Sequence, residues 1–195
     1  MNYTRTSIAI ALAALCATAA SAQTAGSTVQ RDVNQQERIE QGLQNGSLNT
    51  REAARLENQE ATVERIQANA LKDGTLSPAE KARLDKAQNQ VSRDIYRQKH
   101  DAQSGNPNSA SSKRMQADVQ RNINQQARIE QGVKSGTLTN RETASLERGQ
   151  AHVNRAEALA GVDGHVGPAE QANIQARENH QSNRIYRKKH NEIEK

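Results

Sequence analysis

An all-α fold follows from three observations. A seven-residue turn signature recurs four times, most of the chain repeats itself at a spacing of ninety residues, and the apolar residues between turns fall at helical spacing. The turns are Gly46-Ser-Leu-Asn-Thr-Arg-Glu52, Gly74-Thr-Leu-Ser-Pro-Ala-Glu80, Gly136-Thr-Leu-Thr-Asn-Arg-Glu142 and Gly164-His-Val-Gly-Pro-Ala-Glu170. Glycine ends a helix by taking the left-handed conformation without a Cβ penalty. Asn49, Ser77 and Thr139 then stand as N-caps, with Glu52, Glu80 and Glu142 three residues on to complete capping boxes. Pro78 and Pro168 fall at the first helical position, where the absent N–H costs nothing. The fourth turn carries Gly167 at the cap, which offers no side-chain acceptor.

The chain opens with a basic start through Arg5, an apolar run from Ser7 to Ala20 and the small residues Ala20-Ser21-Ala22. That order predicts a secretory signal over residues 1–22, cleaved after Ala22, with a run too short to span a bilayer. Cys16 follows Leu15 rather than a small residue, so it goes with the leader and lipidation is not expected. A mature chain without cysteine suits a periplasmic or secreted protein held together without disulfides. Net charge is +5 for the whole chain and falls by one when Arg5 is removed. Acids and bases are interspersed, which fits an envelope protein or anionic envelope surface as partner and does not call for nucleic acid.

From Val33 onward the duplication is continuous. Asn34-Gln35-Gln36-Glu37-Arg38-Ile39-Glu40-Gln41-Gly42 returns as Asn124-Gln125-Gln126-Ala127-Arg128-Ile129-Glu130-Gln131-Gly132. The expected organisation is two tandem three-helix bundle domains, residues 28–101 and 115–195, joined by a flexible linker over 102–114 that includes Ser104-Gly105-Asn106-Pro107-Asn108-Ser109. In the first domain Val29, Val33, Ile39 and Leu43 share one face of the first helix. Leu56, Val63, Ile66 and Ala70 form a stripe on the second, and Leu84, Ala87, Val91 and Ile95 one on the third. Ile, Leu and Val make up roughly 15% of the mature chain, too few for a deep core, so slim bundles are expected. The second domain reads as the weaker: Arg177 stands where the first has Ala87, Gln181 where it has Val91, and Gly149 falls inside the middle helix.

The Gly-x-apolar-x-x-x-Glu pattern of the turns resembles the second half of an EF-hand loop. That resemblance implies a degenerate EF-hand-like helix-turn-helix repeat in which the turn Glu ligates a cation. Its candidate ligands are Asn69, Asp73, Ser77 and Glu80 in the second turn, with Asp163 and Glu170 in the fourth. Calcium or another divalent cation is the implied ligand, and no other cofactor is expected. The first half of the loop places Leu71 where an oxygen ligand belongs, and helix capping accounts for the same residues.

The other repeated polar feature is the third-helix ending, Tyr96, Arg97, Lys99 and His100 in one copy and Tyr186, Arg187, Lys188, Lys189 and His190 in the other. These cationic ends suit an acidic partner or lipid phosphate, or they complement the helix dipoles. No nucleophile elbow, phosphate loop or paired His–carboxylate motif is present, so no catalytic activity is expected. The function the sequence suggests is a non-catalytic, bivalent interaction module of the cell envelope, with divalent-cation binding at the turns as the alternative.

Overall fold

A computed structural model describes the backbone of residues 8–191 and the side chains from residue 25. The described chain is all-helical, with α1 Ile8–Asn45, α2 Thr50–Ala70, α3 Pro78–Lys99, α4 Ala110–Lys134, α5 Asn140–Ala160 and α6 Pro168–Lys189. Part of the predicted leader, residues 1–7, lies outside the described residues, and the expected cleavage point falls within α1. No described helix is long and apolar enough to cross a membrane.

The turns form as their chemistry requires. Gly46, Gly74, Gly136 and Gly164 all have positive φ, between 71° and 95°. Full capping boxes are present at Asn49/Glu52, Ser77/Glu80 and Thr139/Glu142. At the fourth turn only the Glu170 half exists, accepting from the Gly167 backbone N–H at 2.7 Å.

The arrangement of the copies differs from the sequence expectation. Instead of two bundles on a flexible tether, the heaviest packing in the molecule joins one copy to the other, α2 against α5 and α1 against α4. Both pairs are antiparallel. Leu43 meets Gln116 while Gln30 meets Lys134, and Arg51 meets Asp163 while Asp73 meets Arg141. The four helices make one bundle with pseudo-two-fold symmetry, and α3 and α6 pack on its outside against their own copy's hairpin.

The reason is the composition. Neither copy has enough Ile, Leu and Val to close a core alone, and both apolar clusters draw on both copies. One joins Val33, Leu56 and Leu84 to Met115, Val119 and Ile174; the other joins Val29 and Leu71 to Ile129, Leu146 and Ile185. A second domain that is separately weaker is therefore replaced by a core both copies share. The connecting segment is shorter than expected, because α4 begins at Ala110 on a Ser109 N-cap, and it is seated on the first turn. Gly105 donates its N–H to the Gly46 carbonyl at 2.8 Å, and Gln116 holds the Pro107 carbonyl at 3.0 Å.

Candidate functional site

The four-helix bundle has the heptad positions of a coiled coil, but its middle is polar. Along α1 the facing positions are Ala25, Val29, Asp32, Gln36, Ile39 and Leu43, alternating by four and three residues; along α4 they are Met115, Val119, Asn122, Gln126, Ile129 and Val133. On α2 the stripe reads Thr50, Ala53, Glu57, Glu60, Glu64, Gln67 and Leu71, and on α5 Thr143, Glu147, Gln150, Asn154 and Glu157. Apolar layers close the two ends and a seam of acids and amides fills the centre.

Glu57, Glu60, Glu147 and Glu157 are 0% exposed, and Asp32 and Glu64 only 1%. Among the described residues no Lys, Arg or His is buried in the seam with them. Amides supply some donors. Gln36 donates to Glu57 at 2.9 Å, Asn122 to Glu157 at 2.7 Å and Gln88 to Asp32 at 2.6 Å. Gln126 bridges the copies, donating to Glu147 at 3.1 Å and to Glu64 at 3.2 Å, and Asn154 reaches Glu64 at 3.0 Å. Each of those carboxylates keeps one oxygen without a donor. Glu60 has no hydrogen-bond donor on either oxygen among the described residues.

Burial pushes every one of these carboxyls upward, and the half-buried Arg31 beside Asp32 and Arg38 beside Glu60 offset it only in part. Asp32 rises to about 7, burial outweighing the Gln88 bond, and Glu57 to about 8, with burial opposed by Gln36 and reinforced by Asp118. Glu60, Glu64, Glu147 and Glu157 are also pushed well up, by burial first and then by neighbouring acids: Asp32 and Glu57 for Glu60, Glu147 and Asp32 for Glu64, Asp32 for Glu147, and Glu57 and Asp118 for Glu157. Beside this group, burial takes Asp118 to about 7 and Glu178 to about 8, with Arg121 standing 3.1 Å from Glu178. Such a seam has two ways to be neutral: its carboxyls hold protons, or cations enter and displace them.

Among the described residues no three acidic or histidine side chains stand close enough to one point to hold an ion. Glu60, like the buried Asp118, has neither carboxylate oxygen held by a hydrogen bond among the described residues.

The residues singled out in sequence lie elsewhere. Asn69 is exposed at the end of α2. Asp73 accepts from the Thr75 N–H and hydroxyl at 2.9 and 3.0 Å, and those bonds hold its carboxyl below the usual range. Ser77 and Glu80 bond each other within their capping box, Asp163 accepts from the His165 N–H at 2.8 Å, and Glu170 caps Gly167. Each turn acid thus has backbone or hydroxyl donors.

At the third-helix endings Tyr96 and Tyr186 are about 60% exposed and stack on His100 and His190, with ring centroids 4.1 and 4.2 Å apart. Lys99 and Lys189 fold back onto the carbonyls of Arg38 and Arg128, both at 3.2 Å, and Arg97 pairs with Asp94. Because α1 and α4 are antiparallel, the two endings face opposite ends of the molecule. Arg187 and Lys188 extend the second of them.

The seam is hard to read in sequence because Glu, Gln and Asn on a helix have the pattern of a solvated face. The signal was there: Glu57, Glu60, Glu64 and Gln67 recur at three- and four-residue steps, and Glu147, Gln150, Asn154 and Glu157 repeat them ninety residues on. By fold and interior this is an antiparallel four-helix bundle with a carboxylate-rich core and two flanking helices. No family model, curated protein or solved structure matches the chain.

Proposed function

We propose that the protein is a non-catalytic, exported cation-binding bundle whose ions are held by the interhelical carboxylates. The observation that carries this reading is Glu60, fully buried among Asp32, Glu57 and Glu64, with neither oxygen satisfied. A buried carboxylate with no donor is costly, and a cation shared with its neighbours relieves that cost. Helical bundles commonly carry metal sites built from inward-facing carboxylates on facing helices. The donors are all oxygens, which suits hard cations such as calcium or manganese and gives no thiolate or imidazole for zinc or copper.

Calorimetric titration of the mature chain, residues 23–195, with calcium and with manganese tests this. Binding that raises the melting temperature, is lost in Glu60→Gln and Glu64→Gln and is kept in Glu80→Gln supports the seam. Binding lost in Glu80→Gln and kept in Glu60→Gln returns the ion to the turns. No binding of either ion refutes the reading.

The exposed Tyr–His stacks favour a second role, docking of an acidic envelope partner on the two endings. Their opposed positions suit a bridging module. Tyr96→Ala with Tyr186→Ala abolishes that docking on this reading and leaves cation binding intact.

A further inference from the structure

The second copy departs from the first on one face of its α5–α6 hairpin. There Gly149, His152, Arg177, His180 and Arg184 replace Gln59, Thr62, Ala87, Gln90 and Asp94. The first copy's face is balanced within itself, with Asp94 accepting from Gln90 at 3.0 Å and paired with Arg97. The second copy has instead a groove of about 410 Å³ lined by Gly149, His152, Asn173, Arg177, His180 and Arg184, with no carboxylate in its lining.

Gly149 makes room for it. A Cβ there would collide with the Gln181 amide oxygen and the Arg184 guanidinium, which lie over the glycine as the floor of the groove. Arg184 is held from behind, and Arg177 is held by a neighbour within the lining. Arg184 donates to the Ser145 carbonyl at 2.8 Å and hydroxyl at 3.0 Å, and Arg177 donates its Nε to Asn173 at 2.8 Å. Arg184 is half-buried with Arg187 and Arg148 close by, an arrangement that places like charges together with nothing in the lining to offset them. Two of these differences, Arg177 for Ala87 and Gly149 within the middle helix, read in sequence as a weaker second domain.

We propose that this groove binds a small phosphate-bearing molecule, clamped by Arg177 and Arg184 with His152 and His180 at its rim. Planar guanidinium groups match phosphate oxygens two at a time, and two of them with two imidazoles offer more donors than one carboxylate accepts. The volume leaves room for an organic group beside the phosphate, over Val153 and Ala176.

The test is calorimetric titration of the full mature chain with inorganic phosphate and with phenyl phosphate. Two variants restore the first copy's residues: Arg177→Ala with His180→Gln at exposed positions, and Gly149→Gln, which fills the groove. The expected result is binding of at least one probe, weakened tenfold or more in the Arg177/His180 pair while the melting temperature stays unchanged. Preference for the ester assigns the groove to an organic phosphate, and equal binding assigns it to the free ion. Absence of binding, or equal affinity in wild type and the Arg177/His180 pair, overturns the proposal; Gly149→Gln is read only if its helical melt is intact.

Discussion

Raising the pH of the cation-free protein from 4.5 to 7 removes much of its stability, and the size of the loss follows from two seam carboxyls. Asp32 goes from an ordinary 3.8 to about 7 in the folded state and Glu57 from 4.5 to about 8. The folded state binds these protons more tightly than the unfolded state does. The stabilisation is therefore fully present below the unfolded values near 4 and is lost as pH rises through 7 and 8. At about 1.4 kcal/mol per pH unit, each group loses about 3 kcal/mol between pH 4.5 and 7. The two together lose about 6 kcal/mol if independent, against a total of about 5–15 kcal/mol for a typical domain. The seam acids titrate as a set, so the curve is broader than either alone. For a chain of this length the loss lowers the melting temperature by roughly 10–25 °C. Circular dichroism melts in chelator at pH 4.5, 6 and 7.5 read it directly. A melting temperature that is flat or rises over this range refutes the protonated-seam reasoning.

The remaining predictions concern single side chains. Glu60→Leu stabilises the cation-free protein at pH 7.5 by about 1–4 kcal/mol, since it removes an uncompensated buried acid; a urea titration in chelator showing a lower midpoint contradicts this. Thr139→Ala costs about 1 kcal/mol through its capping box, by the same measurement, and the loss is the same with and without calcium. Leu146→Ala, fully buried in the shared core, costs about 2–5 kcal/mol and shifts one transition for the whole molecule; a separate early transition in the melt would mean that the copies unfold independently. Calcium titrations in two buffers of different ionisation enthalpy show protons released on binding, because the ions displace them from carboxyls; equal heats in both buffers rule out that exchange.

Local structure was legible because each turn carries its own instructions. Gly74, Ser77, Pro78 and Glu80 specify a helix end and a helix start through local backbone and capping chemistry, and the apolar faces of Val29 to Leu43 and Leu84 to Ile95 are buried as their spacing requires. What failed was the partnering of faces. Periodicity says that Leu56 and Val63 are inside but not whether the opposing helix comes from the same copy. The scarcity of apolar residues was the clue: a core too small for one copy is shared by two, and its centre is completed with Glu, Gln and Asn. A carboxylate buried in such a seam has the same sequence signature as one on a solvated face. The groove at Gly149 was hidden for a related reason, since a lost packing residue and a gained lining residue look alike until the neighbouring helix is in place.

The pseudo-two-fold packing bears on how this chain came to be and how it can go wrong. Each ninety-residue half meets the other through surfaces that are nearly its own, so a single half has what it needs to close as a homodimer. In this chain the two halves sit in one polypeptide and differ in sequence within that shared packing. The first carries Asp32, Glu60 and Glu64 where the second carries Asn122, Gln150 and Asn154, and the groove at Gly149 lies on the second. The same self-complementarity permits two chains to trade halves at high concentration, with the segment around Gly105 as the hinge.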